Sequence, residues 1–230
     1  LGNLKEAINS YNKAMEINPN NPNSYFNTGI VHFESGNFLE AQKFFEKTIE
    51  ILPNHGTAHF YLGNNYVHLK DNKNAIKYYQ KAIEIKPSNA GAHNNLGLVF
   101  RAQNDFNNAI SSYKKAIEIN PNHGGAHHNL ALAFKEIGEF KKAINSHEMG
   151  IKSEPENLTH YYYLSELKED VVGENLKNKT EKIIKKKDVS KRNLAYGNFI
   201  LAKLERQKKN FKKELDFLIK GHQAFFDSKK

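Results

Sequence analysis

Histidine and asparagine are the residue types that could do chemistry in this chain. His123, His127 and His128 lie close together, and residues four apart share one face of a helix, so they could be read as a metal cluster. No carboxylate joins them at ligand spacing, however. His59, His93 and His127 also recur 34 residues apart, which points to one repeated structural use rather than a ligand set. Asn27, Asn95 and Asn129 keep the same step, with Tyr61 at the missing place. A side-chain amide offers both a donor and an acceptor, so one can pair with the C=O and N–H of an extended peptide. A ladder of such amides would grip a peptide backbone without reading its sequence. There is no Ser/His/Asp signature, no phosphate loop and no paired-carboxylate motif in a recognisable setting. No active site and no cofactor are expected.

The elements that must position these residues follow from the period itself. Pro19, Pro53, Pro87, Pro121 and Pro155 are 34 residues apart. Ala7, Ala41, Ala75, Ala109 and Ala143 hold the same register. So do Gly29, Gly63 and Gly97, followed by Ala131 and Ser165, and the rings Tyr11, Phe45, Tyr79 and Tyr113, followed by His147. A period of this length decides the architecture before anything else. Four full units are expected at 22–55, 56–89, 90–123 and 124–157, after a partial unit at 1–21. Each reads as two amphipathic helices, with apolar residues at helical spacing in "NAIKYYQKAIEI". Ser35-Gly36-Asn37 and Gly138-Glu139 punctuate the turn between helices, and the proline after each second helix forbids its continuation. Small residues at Gly63, Ala75 and Ala82 let two helix backbones approach, where larger ones would force them apart.

The strings "AHFYLGNNYVHLKDNKNAIKYYQKAIEIKP" and "AHNNLGLVFRAQNDFNNAISSYKKAIEINP" resemble tetratricopeptide repeats (TPRs) over about the first two-thirds of the chain. The resemblance implies an all-α, right-handed superhelical solenoid of antiparallel helix pairs that binds a protein or peptide along its concave face. It places Phe26, Phe60, Asn94 and His128, then Asn27, Tyr61, Asn95 and Asn129, and then Asn64 on that face. "AHNNLG" and "AHHNLA" are similar to the repeats of O-linked N-acetylglucosamine transferase, which imply the amide ladder. The TPR carboxylate clamp fits poorly, because its basic positions hold Phe60, Gly125 and Asn129, which leave little to hold a terminal carboxylate. Phe26, Phe33, Phe60 and Tyr61 read either as aromatic anchors for a partner or as packing against a preceding unit.

The C-terminal third is different. Residues 1–157 hold 16 Lys/Arg against 15 Asp/Glu, and residues 158–230 hold 18 against 10, so nearly all of the net charge of +9 lies in the tail. "GENLKNKTEKIIKKKD" is a lysine-rich helix candidate with a thin apolar stripe, and Asp188 or Ser190 could cap the next helix. The stretch from residue 192 onward resembles a further TPR shifted by three residues, with Leu201, Ala202 and Gly221 in register and Glu214 where alanine is expected. It reads as a degenerate cap over 158–230. The ending "LAYGNFILAKLERQKKNFKKELDFLIKGHQAFFDSKK" also resembles the segment joining TPRs to the catalytic domain of bacterial TPR-sulfotransferases, which implies the non-catalytic arm of a larger enzyme. The lysine runs at 185–187 and 208–213 suggest a solvated basic face rather than nucleic-acid contact. The absence of cysteine fits a reducing, cytoplasmic setting. No run approaches a membrane span. Leu1 falls inside a unit, so the chain is expected to be part of a longer protein, and the apolar face of the incomplete unit makes self-association a further reading.

Overall fold

The computed structural model describes residues 2–228, and the side chains from Glu6 onward except that of residue 169. Among these residues the fold is all-α. Its helices are α1 (Gly2–Ile17), α2 (Pro22–Glu34), α3 (Phe38–Ile51), α4 (Gly56–His68), α5 (Asn72–Ile85), α6 (Ala90–Ala102) and α7 (Phe106–Ile119), then α8 (Gly124–Glu136), α9 (Phe140–Ser153), α10 (Leu158–Leu167), α11 (Glu174–Ile184), α12 (Lys191–Gln207) and α13 (Phe211–Asp227). A 3-10 turn at Glu169–Val171 separates α10 from α11. No described helix is long and apolar enough to cross a membrane. Two compact units divide the chain, Leu1–Asn120 and Pro121–Lys230.

Local chemistry sets the helix ends. The last residue of each 34-residue frame caps the following helix: Oδ1 of Asn89 accepts from the Ala92 N–H at 3.0 Å, and Nδ1 of His55 and His123 accepts from Ala58 and Ala126 at 3.1 and 3.2 Å. Such a cap satisfies one of the donors that a helix start leaves open. Asp71 and Asp105 cap the second helices in the same way, accepting from Asn74 and Asn108. The turn within each pair needs a left-handed residue. Gly36 (φ 76), Lys70 (φ 60), Asn104 (φ 59) and Gly138 (φ 79) supply it 34 residues apart, and Lys209 (φ 56) does so in the pair α12–α13. Lys209 falls on that register once the three-residue shift is allowed for.

In the first unit the pairs α2–α3, α4–α5 and α6–α7 pack through one repeated contact. A ring on the second helix lies flat against a glycine on the first. A Cβ on Gly29, Gly63 or Gly97 would stand 2.6, 2.5 and 2.6 Å from the rings of Phe45, Tyr79 and Tyr113. These rings are almost wholly buried, as are Ala41, Ala75, Ala82, Ala109 and Ala116.

In the second unit α8–α9 form a pair, and α10 packs against α9 and α12. Helix α11 packs on α12 and buries Leu176, Thr180 and Ile183, while Ser190 Oγ accepts from the Asn193 N–H to cap α12. Leu158, Tyr161, Leu176, Ile183, Tyr196, Ile200, Leu201 and Leu204 make one core. Gly221 lies under the Phe199 ring, where a Cβ would stand 2.5 Å away. Glu214 is held by the Nε of Arg206 at 3.1 Å. Helix α13 exposes Phe211, Leu215 and Ile219. From the first lysine run, Lys186 reaches Glu156 at 2.5 Å.

Candidate functional site

In the first unit, α4 and α6 line a cavity of about 340 Å³ with Asn64, Val67, His68, Asn95, Leu98, Val99 and Ala102, and Phe33, Asn72 and Tyr79 complete it. Val67 and Leu98 are 41% and 38% exposed, so the wall is apolar and wet at once. Its polar centre is a chain of hydrogen bonds. Asn94 Nδ2 donates to Asn95 Oδ1 at 3.1 Å, Asn95 Nδ2 donates to Asn64 Oδ1 at 2.9 Å, and the Tyr79 hydroxyl donates to the same Asn64 oxygen at 2.7 Å. Burial pushes the Tyr79 phenol up, so it stays a donor. An Asn95 hydrogen bond to the Tyr79 hydroxyl ties the same cluster together, so the amide is held in one orientation at the cavity wall.

The expected groove residues take different places. Asn64 and Asn95 meet in the cavity. Asn94 is buried beneath it and acts by holding Asn95. Phe26, Phe60 and Tyr61 are half-buried and pack on each other and on the core: Phe26 and Tyr61 meet edge-on at 5.6 Å, Phe60 and Tyr61 at 5.7 Å, and Phe26 lies 5.9 Å from Phe45. Asn27 is half-buried on α2. His128 and Asn129 belong to α8 of the second unit.

The histidines divide by role. Nε2 of His59, His93 and His127 lies 2.8, 3.1 and 2.9 Å from the carbonyl oxygens of Pro53, Pro87 and Pro121, a repeated tie between the first helix and the loop before it. His55 and His123 are helix caps. The structure then gathers three histidines that no local spacing had joined. His128, His147 and His160 each place one ring nitrogen within 4.8 Å of the others. His147 and His160 are buried, and their Nδ1 atoms lie 3.3 Å apart. Burial lowers the His147 pKa to about 3, with His128 and His160 adding to the effect. Burial likewise lowers that of His160 to about 4, against the pull of Glu154. Both rings are therefore neutral at pH 7. Tyr163 stacks on His147 at 5.8 Å and sits 4.8 Å from His128. The one hint in the sequence was that His147 fills a place held elsewhere by Tyr or Phe.

A TPR repeat model matches residues 1–36 and 63–102, and tetratricopeptide repeat models match 22–55, 90–123 and 112–145, together more than half of the chain. No curated protein matches. Among solved structures, MamA is 25% identical with a TM-score of 0.64, over 67% of this chain and 90% of that one. PilF of Pseudomonas aeruginosa is 18% identical with a TM-score of 0.68, over 85% of this chain and 88% of its own. YrrB, whose structure is titled as that of a TPR protein with an unusual peptide-binding site, is 20% identical with a TM-score of 0.61, over 87% and 97%.

Proposed function

Because this chain belongs to the tetratricopeptide-repeat family, we propose that it is a protein-interaction scaffold that binds an extended peptide segment along the α4–α6 face. The observation that carries this reading is the cavity in which exposed Val67 and Leu98 flank the Asn64–Asn95 amides. An amide pre-oriented by a hydrogen bond from Asn94 loses little freedom on binding, and preorganisation of that kind is a direct gain in affinity. Apolar side chains of the ligand would sit on Val67 and Leu98 while its backbone pairs with Asn95. Asn27 stands at the same repeat position as Asn95 within the first unit, so the ladder read from the sequence extends the proposal to it. The peptide-binding site named for YrrB is consistent with this use of the fold.

Peptides selected by display against the chain provide the test. They should bind Asn95→Ala and Leu98→Glu at least about 10-fold more weakly, the equivalent of about 1.4 kcal/mol. Equal affinity for Leu98→Glu would remove the cavity from the argument.

A second reading, the repeat region of a larger sulfotransferase, rests on the linker likeness of the last two helices and is favoured by the exposed Phe211, Leu215 and Ile219 of α13. A phosphate-binding loop in sequence following residue 230 would decide for it.

A further inference from the structure

The fourth repeat departs from its neighbours at the places where the three histidines arise. The ring position, Phe45, Tyr79 and Tyr113 in the units before it, is His147, and the facing glycine is Ala131. A Cβ at that place stands about 2.5 Å from a six-membered ring in the other units, so a methyl there calls for a smaller ring. The imidazole is that ring. The small residue at the next unit's third place, Ser24, Ala58, Ala92 and Ala126 earlier, is His160. Its bulk is admitted because the alanine of Ala82 and Ala116 has become Gly150, and the His160 ring occupies the space a Cβ on Gly150 would need. Two compensated exchanges thus put two imidazoles into a site the repeat otherwise fills with a ring and a methyl. His128, at the place of Phe60 and Asn94, brings a third from α8.

We propose that His128, His147 and His160 bind one transition-metal dication of the zinc type through their imidazole nitrogens, with a fourth position left for water or a further ligand. The distances carry this. Zinc–nitrogen bonds of about 2.0–2.1 Å set the edge of a coordination tetrahedron at about 3.3 Å. The Nδ1 atoms of His147 and His160 are 3.3 Å apart. That is long for an N–H···N hydrogen bond, whose optimum is about 2.9–3.0 Å. One ring nitrogen from each of the three histidines lies within 4.8 Å of the others, so closing the set onto one ion takes a movement of no more than about 1.5 Å. His128 is half-buried, so the set is reached from solvent on its side. An all-imidazole set selects zinc, copper, cobalt or nickel over magnesium or calcium. The carboxylate of Glu154 favours positive charge at His160 through space.

The full chain, stripped with a chelator, is titrated with Co²⁺ and then Zn²⁺. One equivalent of Co²⁺ should give the intense visible absorption of tetrahedral coordination, Zn²⁺ should displace it, and the melting temperature should rise with Zn²⁺ concentration. His147→Tyr restores the residue of the second and third units and should lose more than the roughly 100-fold in affinity that removal of an outer partner costs. His128→Asn, which copies Asn94, gives a second, milder variant should the first fail to fold, and it should also weaken binding. His123→Asn, which keeps a capping side chain, should bind as the native chain does. Failure of the native chain to bind, an octahedral spectrum, or native affinity in both His147→Tyr and His128→Asn would overturn the proposal.

Discussion

Gly63 tests the packing rule that organises the first unit. Gly63→Ala would ordinarily stabilise a helix by up to about 1 kcal/mol, because alanine is the better helix former. Here the added methyl would stand 2.5 Å from the Tyr79 ring. That ring is 1% exposed, and its hydroxyl is tied to Asn64 at 2.7 Å, so it cannot slide without breaking the bond. Overpacking of this kind costs about 1–3 kcal/mol and a lost hydrogen bond about 1 kcal/mol. After the gain in helix propensity, the net loss should be about 2 kcal/mol, a fall in melting temperature of roughly 4–8 °C for a chain of this size. Thermal and urea unfolding followed by circular dichroism reads it. Gly36→Ala is the companion measurement: nothing lies within 4 Å of the added methyl, but φ is 76°, so its cost is conformational and about 1 kcal/mol. If Gly63→Ala unfolds at or above the native midpoint, the ring-on-glycine contact is not a tight one and the account of Gly29 and Gly97 falls with it.

Other outcomes follow from the same geometry. In chelator-treated protein, His147 and His160 titrate at about 3 and 4 in the fold, below the ordinary value of 6.5. The unfolded chain therefore binds more protons between those values and pH 6.5, and stability should fall as pH drops through that window, by up to about 1.4 kcal/mol per pH unit for each group. His147→Tyr should flatten the acid limb of a stability–pH curve; an unchanged limb counts against the buried neutral pair. Asn65 is fully buried and donates to the Phe38 carbonyl at 3.0 Å, so Asn65→Ala should cost about 1–3 kcal/mol in urea unfolding. Glu214→Ala, which puts back the residue type of the regular repeats, should change stability by no more than about 0.5 kcal/mol, since its partner Arg206 is 74% exposed.

Much of this molecule was legible from residues whose effect is local. The prolines and the turn residues Gly36 and Gly138 act within a few residues of themselves, so a 34-residue period in the sequence becomes a 34-residue period in helices. Gly63 and Tyr79 were legible as well, because a small residue and a ring recur together at Gly29 and Phe45 and at Gly97 and Tyr113. The three-residue shift before α12 could be read from Leu201, Ala202 and Gly221, and Lys209 carries it into the turn.

The sites were less legible, because they depend on which side chains from different helices converge. Asn94 and Asn95 look alike as letters; the pitch of α6 buries one and leaves the other in the cavity. The aromatics Phe26, Phe60 and Tyr61 read as anchors for a partner or as packing against a preceding unit, and only the tertiary structure put Phe26 against Phe45 and Phe60 against Tyr79. His128, His147 and His160 are 19 and 13 residues apart and match no motif. Sequence alone determined that a ring position had become His147 and a small position His160. That their nitrogens meet at 3.3 Å was decided by Ala131 and Gly150, which reset the depth of each ring across α8, α9 and α10.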